Sequence, residues 1–305
     1  MTDTPVQQIA KPAVHGVLVV NKPTGPTSHD IVAQARRLFG TRRVGHAGTL
    51  DPMASGVLLV LLGEGTKLAP YLTADDKRYR ATVSFGRATD SGDAQGAVIE
   101  ERALTPGWLT ADLLGGALAI ERARTQQVPP VFSAIKVAGQ RSHRLARRGE
   151  AAELPARPVA VQSLTVVSQQ GDQLVLDLSV SKGYYVRSLA HDLGATLGVP
   201  AHLAALERTA SGCFTLDEAC AWPCLEPPPP LSLTAAVTRA LPCATLTATG
   251  ADKARKGQPL DDSDFTVPPS LTDAPMAWLF EGRLIAMGGA ESGRFGVRRG
   301  FAVGS

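Results

Sequence analysis

Apolar and polar residues alternate cleanly in only part of the chain. Tyr79, Ala81, Val83 and Phe85 interleave with Arg80, Thr82 and Ser84, the two-residue period of a half-buried strand. Leu174, Leu176, Leu178 and Val180 mark another such strand. Val17–Val20 and Val57–Leu62 are unbroken apolar runs of strand length, which predicts buried strands. After the turn Asn21-Lys-Pro-Thr-Gly-Pro26 the period changes. Ile31, Val32, Ala35, Leu38 and Phe39 fall on one face of a helix, opened by a capping box of Thr27 and Asp30 and closed by Gly40. A second helix is predicted over 188–198, where Leu189, Leu193 and Leu197 lie four apart and Gly198 stops it. Between Gly45 and Gly56 there are three glycines, one proline and no period, which predicts a structured loop.

Strands and helices mix without a strict βαβ beat, so the expected class is α+β with a mixed sheet. Trp222-Pro-Cys-Leu-Glu-Pro-Pro-Pro-Pro230 reads as a linker. It divides a large domain (16–235) from a tail (240–305), whose short pieces Met276–Phe280 and Arg283–Met287 suggest a small β domain. Residues 1–15 read as a loose tail. At 44% apolar the 305 residues can bury a sizeable core, which excludes disorder as the main state. No run of 18 apolar residues and no signal-like start are present, so a soluble, cytoplasmic protein is expected, with no membrane partner. Cys213, Cys220, Cys224 and Cys243 have neither zinc spacing nor a nearby histidine pair, and no metal site is expected.

The net charge of +3 conceals an uneven distribution. Residues 31–50 carry four arginines and no acid, and 121–150 carry seven basic residues against Glu121 and Glu150. A polyanionic partner is one reading of these segments, and two solvated faces are the other. Within the glycine-rich loop, Asp51 directly precedes Pro52, which confines it to extended geometry. A carboxylate held that way on a loop is a candidate nucleophile or base, although an Asp-Pro turn with a purely structural role has the same spelling. The loop lacks the Gly-Lys-Ser/Thr of a phosphate-binding loop and the Gly-x-Ser-x-Gly elbow.

Gly45-His-Ala-Gly-Thr-Leu-Asp-Pro-Met-Ala-Ser-Gly56 closely resembles the nucleophile motif of the TruB family of tRNA pseudouridine synthases. Further matches occur in the family's order. Gly16-Val-Leu-Val-Val-Asn-Lys-Pro-Thr-Gly-Pro-Thr-Ser28 resembles its opening strand and turn, and Lys77-Arg-Tyr79 its tyrosine motif. Gln127-Val-Pro-Pro-Val-Phe-Ser-Ala-Ile-Lys136 resembles its Pro-Pro-x-Tyr-Ser-Ala-x-Lys segment. Ser181-Lys-Gly-Tyr-Tyr-Val-Arg-Ser-Leu189, with Asp192-Leu-Gly194, resembles its arginine motif. Together they cover about residues 16–215. The tail resembles, more faintly, the reduced PUA-type RNA-binding domain of bacterial members.

The resemblance implies a pseudouridine-synthase fold, with a mixed, mostly antiparallel sheet flanked by helices. It implies isomerisation of uridine 55 in the tRNA T-loop to pseudouridine, by base flipping and without a cofactor. Asp51 would be the nucleophile, attacking ribose C1′ or uracil C6. Arg187 would pair with it, and Tyr79 would stack on the base and stand near the C5 proton. His46 would fill the space of the flipped base. Tyr185, Leu206, Lys22 and Arg208 would line or support the substrate site. The segment 121–150 would be a thumb-like insertion over the T-stem-loop, and Arg42, Arg43, Arg141, Arg144 and Arg147 would meet RNA phosphates. Three departures bear on RNA affinity: Phe132 and His143 where tyrosine is common, and Glu207 where arginine is common. The implied partner is tRNA alone, for a monomer without a guide RNA. The alternatives are a guide-RNA-dependent synthase and a tRNA-folding chaperone.

Overall fold

A computed structural model describes residues 14–130, 136–137, 140–141, 154–224, 226–291 and 293–302. The expected tail at 1–13, and Phe132, His143, Arg144 and Arg147, lie outside the described residues. His15, expected in the tail, is tied down: its Nδ1 accepts a hydrogen bond from the Glu64 amide at 3.0 Å.

In chain order the main elements are β1 (Gly16–Lys22), α1 (Ser28–Leu38), β2 (Val44–Ala47), β3 (Ala54–Leu62), β4 (Lys77–Phe85), α2 (Ala111–Arg122), β5 (Val161–Gln170), β6 (Gln173–Val180), α3 (Val186–Leu197) and β7 (Ala201–Ser211). The strands form one sheet in the order β5-β6-β4-β7-β3-β1, extended at the β1 edge by Cys220–Ala221. Two pairings are parallel, that of β7 with β3 and that of β1 with the short strand Cys220–Ala221, and the others are antiparallel. The mixed, mostly antiparallel sheet is therefore as expected. The capping box of Thr27 and Asp30 on α1 is also present, and Gly198 closes α3 at φ 71.

Burial explains which patterns were legible. Leu18, Val20, Leu58, Val60 and Leu62 pack with α1, β4, β6 and α3 on one face of the sheet. Val17, Val19, Val57, Leu59 and Leu61 pack on the other. These strands are covered twice, so their sequence is a continuous apolar run. β4 and β6 keep their alternation because only one of their faces reaches the core.

The second face is covered by the C-terminal part. The helix Leu233–Ala240 and the strands β8 (Met276–Phe280), β9 (Arg283–Glu291) and β10 (Arg294–Gly300) bring Leu233, Val237, Ala277, Met287 and Phe301 against Val17, Leu59 and Leu61. Glu64 accepts the Ala302 amide, and Lys67 Nζ donates to the Gly300 carbonyl at 2.9 Å. The presumed linker is likewise anchored: Trp222 is buried and donates to Gln34 Oε1, and Leu231 exchanges two 2.9 Å backbone bonds with Val17. The tail is not purely β, since Thr247 caps a helix, Ala248–Arg255, that packs on its sheet. Among the described residues no helix is long and apolar enough to cross a membrane.

Candidate active site

The sheet forks at β3. Residues 54–56 pair with β7, and 59–62 pair with β2. Gly45–Gly56 is thus half strand: β2 takes its first three residues and β3 its last three, leaving 48–53 to bridge the fork. The expectation of a continuous loop missed these strands because glycine and histidine carry no apolar period.

Two side chains and one backbone amide, from three directions, pin this bridge. Ser28 Oγ, in the first turn of α1, accepts from the Leu50 amide at 2.9 Å and donates to its carbonyl at 3.0 Å. The Gly25 amide donates to the Pro52 carbonyl at 2.8 Å. From β7, Arg208 enters the fork: Nε donates to Val57 O at 2.6 Å, Nη2 to Gly48 O at 2.9 Å and Nη1 to Thr49 O at 3.4 Å. Arg208 is 1% exposed and stands opposite Tyr79 on neighbouring β4. Burial holds its basicity below the ordinary arginine value. Gly56 makes the close packing possible. At φ 102 it lies against the Arg208 backbone, where an added Cβ would come within 2.7 Å of the Arg208 nitrogen.

Asp51 projects from the pinned bridge with its side chain 40% exposed. Arg187, in the first turn of α3, reaches it with Nη2 at 3.0 Å from Oδ2. A cation near a helix N-terminus opposes the helix dipole, and acceptors compensate here. Arg187 Nη1 donates to Ser91 O at 3.1 Å, and Nε lies 3.8 Å from Asp93 Oδ2. Asp93 is buried and is itself held by Ser91 Oγ and the Gln95 amide. Neither Ser91 nor Asp93 was singled out from the sequence. The segment has no period, and its partner lies 94 or more positions away.

Asp51, Tyr79, Tyr185, Arg187 and Leu206 line one cleft of about 840 Å³, with Lys182 on its wall. Tyr79 and Leu206 come from β4 and β7, and Tyr185 is the N-cap residue of α3. Lys22 lies under this floor, buried, with Nζ donating to Pro23 O at 2.8 Å and Pro26 O at 2.9 Å. Burial lowers its pKa to about 8, although Asp51 pulls it upward. Lys77, also buried, is lowered to about 8 by desolvation and by Arg208. The Lys22 and Arg208 side chains are thus consumed by backbone carbonyls beneath the cleft.

His46 sits on β2, paired with Val60, and its ring meets His29 edge-on at 5.4 Å. Burial, then the charges of His29 and Arg208, lower its pKa to about 4, so the imidazole is neutral near pH 7. Its Nδ1 is buried without a hydrogen-bond partner among the described residues. Of the expected phosphate contacts, Arg42 is exposed, whereas Arg43 Nη2 lies 2.8 Å from Glu64 Oε1. Arg141 is described only as backbone, paired with Lys136 in a short hairpin.

Two of the basic residues counted in 121–150 bond to groups of the fold itself. Arg122 donates to Leu164 O, and Arg124 bridges buried Glu121 and Asp192.

Two family models match the chain. The TruB family pseudouridylate synthase N-terminal domain covers 36–186, and the tRNA pseudouridylate synthase B C-terminal domain covers 187–225. A protein of Mycobacterium sp. (strain KMS) named tRNA pseudouridine synthase B is 45% identical over 251 residues, covering 80% of this chain and 84% of that one. A Thermobifida fusca protein of the same name is 44% identical over 292 residues, covering 91% and 95%. Among solved structures, a Cbf5–Nop10–Gar1 complex matches with TM-score 0.70 and 25% identity, covering 90% of this chain and 78% of that one. An H/ACA RNP bound to a substrate RNA containing 2′-deoxyuridine matches with TM-score 0.72 and 22% identity, covering 94% and 85%.

Proposed function

The chain belongs to the TruB family of pseudouridylate synthases, and from that premise we propose that it converts uridine 55 in the T-loop of tRNA to pseudouridine, with Asp51 as nucleophile. The observation that carries this reading is the 3.0 Å Asp51–Arg187 pair, which faces Tyr79 and Leu206 across one cleft. The 44–45% identical relatives are named for tRNA, and they support tRNA as the substrate. The likeness to guide-RNA assemblies supports the fold.

The isomerisation breaks the C1′–N1 bond and forms a C1′–C5 bond. One proton leaves C5 and one is gained at N1, so atoms and electrons balance without an oxidant or reductant. Asp51 forms the covalent intermediate at ribose C1′ or at uracil C6 and is released on completion. The Arg187 guanidinium pairs with this carboxylate and fixes its direction. The phenol ring of Tyr79 offers a stacking face, and its hydroxyl is the group for the C5 proton. Leu206 and Tyr185 close the apolar side of the pocket.

Taking uridine out of the loop costs a few kcal/mol of stacking. His46, neutral and with an unpartnered Nδ1, is suited to occupy the vacated place. Basic residues of the thumb-like 121–150 segment, with Arg42, hold the phosphates. The residues from 240 onward act as a reduced PUA-like RNA-binding appendage to the 16–235 catalytic domain. The enzyme acts as a cytoplasmic monomer without a guide.

The test uses unmodified tRNA transcript tritiated at uracil C5 and the pure protein alone. Wild type is expected to release tritium without any added RNA, and Asp51→Asn to bind tRNA but release none. Turnover by Asp51→Asn would refute the nucleophile, and a requirement for a guide RNA would refute stand-alone action.

A further inference from the structure

The two partners of the catalytic ion pair stand on short segments that are each held by a side-chain clasp. Ser28 holds both backbone groups of Leu50, next to Asp51. Gln127 does the same on the other side. Its amide Oε1 accepts the Tyr185 N–H at 2.7 Å, and its Nε2 donates to the Tyr185 carbonyl at 3.1 Å. Tyr185 is the N-cap residue of α3, and no side-chain capping bond is made there. One turn on, Ser188 Oγ donates to the Val128 carbonyl at 3.0 Å. Residues 127 and 128 thus grip the first turn of α3 at two points, with Arg187 between them.

From this geometry we infer that Gln127 is a positioning residue for the reaction: its side-chain amide sets the first turn of α3, and so the reach of Arg187 to Asp51. The inference rests on the reading of Asp51 and Arg187 given above. Three observations support a dedicated role. Gln127 is only 2% exposed, so its amide was desolvated in order to make these two bonds. Both polar ends of that amide are used on a single residue, which fixes orientation as well as distance. Its own backbone is held by pairing with Arg157. Arg187 is a long side chain on a helix end, and a small rotation of that turn would be amplified at Nη2. Catalytic efficiency falls steeply with such misplacement.

Ionisable groups surround position 127: Arg157 across the ladder, Tyr185 and Arg187 on the facing turn, and the buried Glu121–Arg124–Tyr184 network at the end of α2, where the Tyr184 hydroxyl donates to Glu121 at 2.6 Å. A glutamate at 127 would present an acceptor to the Tyr185 carbonyl when ionised. It would recover the donor only when protonated.

The experiment compares wild type, Gln127→Ala, Gln127→Glu and Ser188→Ala in the full chain. It measures the single-turnover rate of tritium release, tRNA affinity, and hydrogen exchange of the Tyr185–Leu189 amides. Gln127→Ala is expected to slow the rate roughly 10- to 100-fold, since two buried hydrogen bonds are lost, and to leave affinity nearly unchanged. Ser188→Ala should lose less. The rate of Gln127→Glu relative to wild type should climb as pH falls. A wild-type rate in Gln127→Ala, a loss borne entirely by affinity, or a flat Gln127→Glu ratio would overturn the inference. If Gln127→Ala does not fold, the pH response of Gln127→Glu decides. If wild type itself releases no tritium, the catalytic reading fails, and unchanged exchange at Tyr185–Leu189 in Gln127→Ala or Gln127→Glu sinks the clasp separately.

Discussion

Arg208 offers a sharp test of what the fold does with a residue that the family resemblance assigns to the substrate. Consider Arg208→Lys, which keeps the charge and removes the fork. In the native protein the guanidinium makes two good hydrogen bonds, to Val57 O at 2.6 Å and Gly48 O at 2.9 Å, while the Thr49 contact at 3.4 Å is too long to count fully. An ammonium on a shorter stem can serve one of these carbonyls. A buried charged hydrogen bond contributes about 1.5–3 kcal/mol, so a loss of about that size is expected. For a domain of this size each kcal/mol moves Tm by about 2–4 °C, which places the fall at roughly 3–12 °C.

The same change slackens the bridge that carries Asp51, so the single-turnover rate should drop. tRNA binding should respond differently. A side chain that is 1% exposed does not meet phosphate, so the slope of log K against log salt should stay that of wild type. A residue in phosphate contact would lower that slope by about one. Thermal unfolding by circular dichroism and filter binding at several salt concentrations read the two effects separately. An unchanged Tm together with a reduced salt slope would refute the buried positioning role.

Two further perturbations test the floor and the flank of the site. Gly56→Ala must place a Cβ into the Arg208 backbone at a φ of 102, so Tm and turnover should fall together, with a cost of about 2 kcal/mol or more, and a normal melting curve would contradict the close packing. His46 has an unfolded pKa near 6.5 and a folded value of about 4, so between these the unfolded chain binds more protons. Stability from this group is therefore present above pH 6.5, declines as pH falls toward 4 and is flat below. His46→Gln should flatten urea-melt stability across that window, and an unaltered slope would show that His46 is not shielded.

Much of the catalytic layer is written locally. The capping box of α1, the alternation of β4 and β6 and the αL glycine after α3 depend on neighbours within one or two turns, and such signals survive in a linear reading. Asp51, Tyr79, Arg187 and Leu206 were found through motifs, and the structure brings them to one cleft although they span 155 positions. Ser28 and Gln127 stood in matched motifs without a role of their own, and Asp93 was not singled out. Each acts on a backbone or side-chain group far along the chain, and no spacing rule reports such a pairing. A charge count is blind to pairing for the same reason: Arg122 and Arg124 enter the tally of the basic segment, and their hydrogen bonds and ion pairs end at Leu164, Glu121 and Asp192.

The amino-acid sequence by itself determined the strands of clean alternation, the capped helices and the restricted Asp-Pro step, because these follow from local backbone sterics, while the candidate site residues were picked out by their resemblance to family motifs. Tertiary structure alone decided which groups are spent and which are free. The fork at β3 buries Arg208 against the bridge that carries Asp51, the docking of the C-terminal sheet turns β1 and β3 into strands covered on both faces, and Gln127 spends its amide on the Tyr185 backbone. Desolvation and hydrogen-bond satisfaction are properties of the assembled surroundings, and a side chain's role changes with them even though its place in the sequence does not.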